Sequence, residues 1–190
     1  MNPLLLLYCL VVTLVSLTLI LAYTKFHRFK RKIALHEDHF SRLIEIAKQS
    51  LKSLDVPIGA ILLYKDKIIG EGYNTVLLNA KAGEHAEINA ISDAMNKMGI
   101  ETFFSLERGS LVLVSTFEPC VMCVGAFINY NIQHVYFLKE KEFLYTGKEQ
   151  ALFLRYLFRR KQVKHCNEQD SLFEEHPDYP HKIIEIPIER

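Results

Sequence analysis

One imidazole, two thiols and one spare carboxylate recur at telling spacing in His85-Ala86-Glu87 and Pro119-Cys120-Val121-Met122-Cys123. Catalytic zinc usually takes three protein ligands and leaves its fourth position to water. His85, Cys120 and Cys123 are the candidate ligands and Zn2+ the candidate cofactor. Glu87, two residues beyond the histidine, is then left to carry protons rather than bind metal. Zinc can bring the pKa of water from about 15.7 to about 7. A partly buried carboxylate with a raised pKa can both take and return a proton near neutral pH. The pattern predicts hydrolytic chemistry.

Each piece has a plainer reading. A lone Cys-x-x-Cys also serves as a redox pair or as half of a structural zinc site. An all-thiolate site would need two further suitable cysteines, and neither Cys9 nor Cys166 forms another close pair. His85 alone reads as a helix-start histidine, and Glu87 alone as a first-turn carboxylate favoured by the helix dipole. It is the order of the four residues, with Pro119 before the first cysteine, that favours a catalytic site.

The elements that must position these residues follow from hydrophobic period. Phe40, Leu43, Ile44, Ala47, Leu51 and Leu54 mark an amphipathic helix ending near Ser53. Ile58 to Tyr64 is an apolar run suited to a strand buried on both faces. Lys65-Asp66-Lys67 turns it into a second strand, Ile68 to Tyr73, and Asn74 to Glu84 reads as loop. A helix starts at His85 and stops at Gly99. Leu111 to Ser115 is the next strand, and a helix starts near Cys120, where Pro119 suits the unpaired first amides. His134 to Leu138, Lys148 to Arg160 and Ile183 to Ile186 read as strand, helix and fifth strand. The fold class expected is α/β, a three-layer α-β-α sandwich with a central mixed five-stranded sheet.

The 190 residues carry a net charge of +1, so no global field points to nucleic acid or an acidic partner. Four cysteines give no disulfide framework, and reduced thiols suit a cytosolic metal site. Leu4 to Tyr23 is uncharged and long enough to cross a bilayer as a helix. Lys25, Arg28, Lys30, Arg31 and Lys32 follow, which favours a cytoplasmic chain beyond them. A cleavable signal peptide competes, but it would want basic residues before the run and small ones at its end. The organisation expected is a transmembrane anchor and basic patch over 1–32, then a catalytic domain over 33–190 with its core at about 40–138. The expected location is therefore membrane-anchored, with the catalytic domain in the cytoplasm.

Longer wording carries a resemblance: Val56-Pro57-Ile58-Gly59-Ala60, Gly70-Glu71-Gly72-Tyr73-Asn74, His85 to Ile91 and Glu118 to Ala126. From about Phe40 to Leu138 the chain resembles the cytidine deaminase-like superfamily, in particular its tRNA adenosine, guanine and cytosine deaminase branch. H-x-E…P-C-x-x-C is a known signature of zinc nucleobase deaminases. The resemblance implies hydrolytic deamination of a nucleobase, nucleoside or tRNA base, with Glu87 as proton shuttle. It implies that Asn74 and the backbone around Ala86 and Cys120 contact substrate, and that the enzyme is a homodimer. Asn74 also has a plain reading as a turn residue. Gly70-Glu71-Gly72 lacks the third glycine and following helix of a phosphate loop. Glu118 is either a group supporting the cysteines or a solvated turn residue.

Beyond Leu138 the likeness fades, and 139–190 is a divergent segment. Arg155, Arg159, Arg160, Lys161 and Lys164 could touch phosphates, although a solvated helix end whose cations complement the dipole is favoured. Phe153, Tyr156 and Phe158 are expected to pack. The competing function is a catalytically silent membrane-tethered binding or scaffold protein with the same fold. Intact Glu87 argues against it, because zinc binding alone does not require that carboxylate.

Overall fold

The computed structural model describes residues 3–28 and 35–159. The chain divides into two compact units, Met1–Ala34 and Leu35–Arg190. The first contains helix α1, Pro3–Arg28. Thr13, Ser16 and Thr18 turn their hydroxyls back onto carbonyls of the preceding turn, so these polar residues are satisfied within the helix. The expected transmembrane anchor is not supported: among the described residues no helix is long and apolar enough to cross a membrane. The expected membrane location and membrane partner fall with the anchor.

The second unit is built on a mixed sheet in the order β2-β1-β3-β4. Its strands are β1 Gly59–Tyr64, β2 Lys67–Tyr73, β3 Leu111–Phe117 and β4 His134–Lys139. β1 is antiparallel to both β2 and β3, and β3 is parallel to β4. The sheet therefore has four strands among the described residues, not the five expected. The segment read as the fifth, 183–186, lies outside them. Central β1 explains its unbroken apolar run: Ala60, Ile61, Leu62 and Leu63 are all fully buried. Its hairpin turn places Lys65 at φ 49° and Asp66 at φ 65°, the left-handed pair that a tight two-residue connection demands.

Helices cover both faces. Helix α2, Glu37–Gln49, buries His39, Leu43, Ile46 and Ala47. It lies so close to β1 that a Cβ on Gly59 would sit 2.7 Å from the Leu43 carbonyl. Arg42 adds a two-pronged bond to Glu71 of β2, with Nε 2.8 Å from Oε1 and Nη2 2.6 Å from Oε2.

Helix α4, Ala86–Met98, crosses the opposite face. A Cβ on Gly70 or Gly72 would run into the Ala90 or Ala86 carbonyl, so these glycines exist for close helix–strand packing. Leu62, Ile91, Leu113, Cys123 and Phe127 form the core on this side, with α6, Val121–Asn129. Helix α4 stops at Gly99, whose φ of 83° is one that glycine adopts readily.

Two α-helices were not read from the sequence, and a third begins earlier than expected. The loop after β2 holds a short helix α3, Val76–Asn79, and α5, Ile100–Ser105, follows Gly99 directly. Helix α7, Phe143–Arg159, starts five residues before Lys148.

Candidate active site

Two helix starts meet at the site. His85 is the N-cap of α4 with extended backbone, φ −74° and ψ 153°. Cys120 is the N-cap of α6, φ −79° and ψ 168°, directly after the end of β3 and Pro119. Cys123 follows in the first turn and is fully buried. His85 Nδ1 lies 3.5 Å from Cys120 Sγ and 3.7 Å from Cys123 Sγ, and the two sulfurs are 3.6 Å apart.

These edges test whether zinc fits. With Zn–S near ~2.3 Å and Zn–N near ~2.0–2.1 Å, a tetrahedral ion puts its sulfurs about 3.8 Å apart and sulfur and nitrogen about 3.6 Å apart. The triangle matches within about 0.2 Å, the tolerance expected of a metal site. The three residues could therefore hold the ion, and the exposed amides of both helix starts favour the anionic sulfurs.

The sulfurs already behave as a coupled pair. The Cys120 thiol is lowered to about 5, chiefly through its hydrogen bond with Cys123, with His85 helping. Cys123 is pushed up by the same bond and by burial. One negative charge is thus stable on the pair alone, and a cation is needed to hold the second.

Glu87 sits in the first turn of α4 and is 3% exposed. Burial raises its pKa above the ordinary carboxylate value. Its Oε2 lies 3.5 Å from Cys123 Sγ, and its Oε1 accepts from the Ser115 hydroxyl at 3.3 Å. Ser115 was missed in the sequence. Its only signal was a hydroxyl at the inward end of the otherwise aliphatic strand Leu111-Val112-Leu113-Val114.

His85, Glu87 and Cys120 open into a cleft of about 390 Å³, within the ~300–1,000 Å³ usual for small-molecule sites. Ile58, Phe117, Glu118 and the run Lys139 to Glu142 complete its lining. Asn74 is not among the lining residues. It is buried, and its backbone N–H donates to the Ile58 carbonyl at 3.1 Å, so it sits beside a lining residue. The Ala86 side chain packs with Ala60 and Ala90 against the sheet.

The loop carrying Asn74 is held from several directions. Asn89 donates to the Tyr73 carbonyl at 2.8 Å and to Thr75 Oγ1 at 2.9 Å. Glu84 accepts from Thr75 Oγ1 at 2.7 Å and from Asn79, and these bonds, Asn79 first, lower its carboxyl to about 2. Burial pushes Asp55 up, yet it is held below its usual value by the Leu77 N–H, the Ser53 hydroxyl and the Leu78 N–H.

The cleft rim draws on the divergent segment. Glu118 is half-buried, and its Oε2 accepts the Lys141 N–H at 2.9 Å. Lys141 Nζ donates to the Pro119 carbonyl at 3.0 Å and to Glu149 of α7 at 2.7 Å. Neither Lys141 nor Glu149 was singled out from the sequence. Phe153 and Tyr156, expected to pack, are 46% and 61% exposed, because α7 turns them outward. Arg155 and Arg159 are exposed, while Arg160, Lys161 and Lys164 lie outside the described residues.

Residues 33–139 match the family described as the cytidine and deoxycytidylate deaminase zinc-binding region. The chain belongs to that family, and zinc is its cofactor. Among similar proteins, the tRNA-specific adenosine deaminase of Buchnera aphidicola subsp. Schizaphis graminum is 38% identical over 96 residues, covering 47% of this chain and 60% of the relative. The tRNA-specific adenosine deaminase subunit tad2 of Schizosaccharomyces pombe is 31% identical over 102 residues, covering 54% of this chain and 25% of the relative. The chain thus spans less than two thirds of these relatives.

Among solved structures, guanine deaminase from Bacillus subtilis superposes with a TM-score of 0.57 at 23% identity, covering 73% of this chain and 92% of that one. That likeness speaks for the fold. A guanine deaminase from Nitrosomonas europaea gives 0.50 at 25% identity, covering 58% and 62%.

Proposed function

We propose that this protein hydrolytically deaminates a nucleobase, presented free, in a nucleoside or in tRNA, converting a ring amine to a carbonyl and releasing ammonia. The observation that carries the reading is Glu87: a buried carboxylate in a zinc-type cleft, 3.5 Å from a candidate ligand sulfur yet outside the ligand triangle. A structural metal site has no use for it.

In this reading His85, Cys120 and Cys123 hold zinc, which when bound supplies the Lewis acidity that lowers the pKa of water. The chain's own residues do the rest. Glu87 accepts one proton of the attacking water on a carboxylate oxygen and passes it to a ring nitrogen; it then takes the second proton from the hydroxyl left on the ring carbon and gives it to the departing amine, so ammonia leaves as the carbonyl forms. Burial suits it to both directions, since a raised pKa lies nearer working pH. The Ser115 hydroxyl holds Oε1, which leaves the cleft-facing geometry of the carboxylate fixed. Ile58 and Phe117 supply apolar cleft wall for a planar ring. Asn74, buried beside the lining residue Ile58, is the amide this reading assigns to the base or sugar, since it offers both donor and acceptor, and the backbone at Ala86 is assigned a further contact.

Two tRNA-specific relatives support an RNA substrate, while the cleft itself is sized for a base. A homodimer is the assembly that goes with this reading, and Val121, Met122, Val124 and Ile128 of α6 are exposed apolar residues available to it.

Ammonia release by the zinc-loaded full chain, assayed on free bases, nucleosides and tRNA, tests the proposal. Turnover of at least one substrate is expected. Turnover of free guanine or cytosine would rule out an obligate tRNA enzyme. Silence across the panel with zinc fully bound would overturn the proposal.

A further inference from the structure

Lys141 is a buried cation at the cleft that the chemistry above does not use. It follows β4 immediately, lines the rim, and its side chain is only 4% exposed. A buried ammonium is costly unless paired and hydrogen-bonded. Here it is both, and its partners lie on different elements. Nζ is 2.7 Å from Glu149 Oε2 on α7 and 3.0 Å from the carbonyl of Pro119.

Pro119 is the residue before candidate ligand Cys120, and the peptide joining them is planar. A donor fixed on the Pro119 oxygen therefore fixes the plane that ends at the Cys120 nitrogen. The same segment is held twice more, by Glu118 N–H to the Lys139 carbonyl at 2.8 Å and by Lys141 N–H to Glu118 Oε2 at 2.9 Å. Those two bonds tie the cysteine turn to the end of β4. Among the described residues the ammonium carries the tie onward to α7, which lies beyond the residues matched to the family.

We propose that Lys141 is a positioning residue for the zinc site, clamping the Pro119–Cys120 peptide to α7 through Glu149. Helix α7 thereby sets how tightly and in what geometry the cysteines hold the metal. The inference rests on the zinc site and not on which amine is removed, so it is tested without turnover.

The test uses the full chain, stripped of metal, with zinc titrated against a competing chelator and Co2+ as a spectroscopic stand-in. Losing a partner that orients a ligand typically weakens metal binding about 10–100-fold. Lys141→Met is expected to weaken zinc by that much and to shift the cobalt–thiolate bands. Glu149→Gln, which leaves the ammonium without its anchor, should move both readouts in the same direction. The double variant Lys141→Met/Glu149→Leu separates positioning from mere charge pairing, because replacing a buried pair by apolar residues often leaves stability intact. It should melt near the wild-type temperature while zinc binding stays as weak as in Lys141→Met. Wild-type zinc affinity and an unchanged cobalt spectrum in the double variant would overturn the proposal. Should Lys141→Met fail to fold, Glu149→Gln and the double variant decide it by the same readouts.

Discussion

Cys120 and Cys123 differ sharply although only two residues lie between them. Cys120 is partly exposed with its thiol lowered to about 5, whereas Cys123 is buried and pushed the other way. The expected site of the thiolate in metal-free protein at neutral pH is therefore Cys120. Alkylation followed by peptide mapping should label Cys120 well ahead of Cys123, with a rate that falls as pH drops through about 5, where the thiolate is protonated. Zinc should suppress the labelling. Equal labelling of both cysteines, or none of Cys120, would contradict the assignment. These residues were legible because metal ligation restricts both residue type and spacing, so His85, Cys120 and Cys123 carry their meaning in one line of sequence. Ser115 and Lys141 were not legible. A hydroxyl or an ammonium gains its role only when β3, β4 and α7 bring it against Glu87 or Pro119, and no local pattern encodes that approach.

At the scale of elements, α2 is fastened to β2 by the Arg42–Glu71 pair as well as by apolar contact. The Arg42 guanidinium holds the Glu71 carboxyl below its ordinary value against the opposing effect of burial. A carboxylate with a depressed folded-state pKa stabilises the fold fully above its unfolded value, and that contribution fades as pH falls through the folded value. Glu71→Gln should cost about 1 kcal/mol at pH 7, a modest figure because Arg42 is 41% exposed and screened by solvent. The gap between variant and wild type should close as pH falls below the ordinary carboxylate range, which urea unfolding at several pH values measures. A gap that stays constant into acid would mean the pair contributes by shape rather than charge. Period and punctuation made most elements readable, from the two-sided apolar run of β1 to the stop at Gly99. Helix α5 was hidden because Ile100-Glu101-Thr102-Phe103-Phe104-Ser105 begins right at that stop and is rich in residues that suit strands. The expected anchor rested on hydropathy alone. Such a count registers apolar length without showing what the helix crosses, and none of the described helices meets the demand.

For the molecule as a whole, the family and its zinc follow from one continuous stretch, whereas the cleft rim draws on the segment beyond β4. That rim mixes Lys139 and Lys141 with Glu118, Glu140 and Glu142, a balance without a clear sign. It explains why the chemistry could be read from residue types when the base could not. The central claim is that this cleft is a catalytic zinc site with Glu87 as its proton carrier. Its most direct test is one paired measurement on the full chain, zinc content and ammonia release, for wild type and Glu87→Gln with the best substrate found. The account predicts equal zinc in both and turnover reduced by about 10²–10⁴ in the variant. Near-normal ammonia release from a zinc-replete Glu87→Gln protein would contradict it.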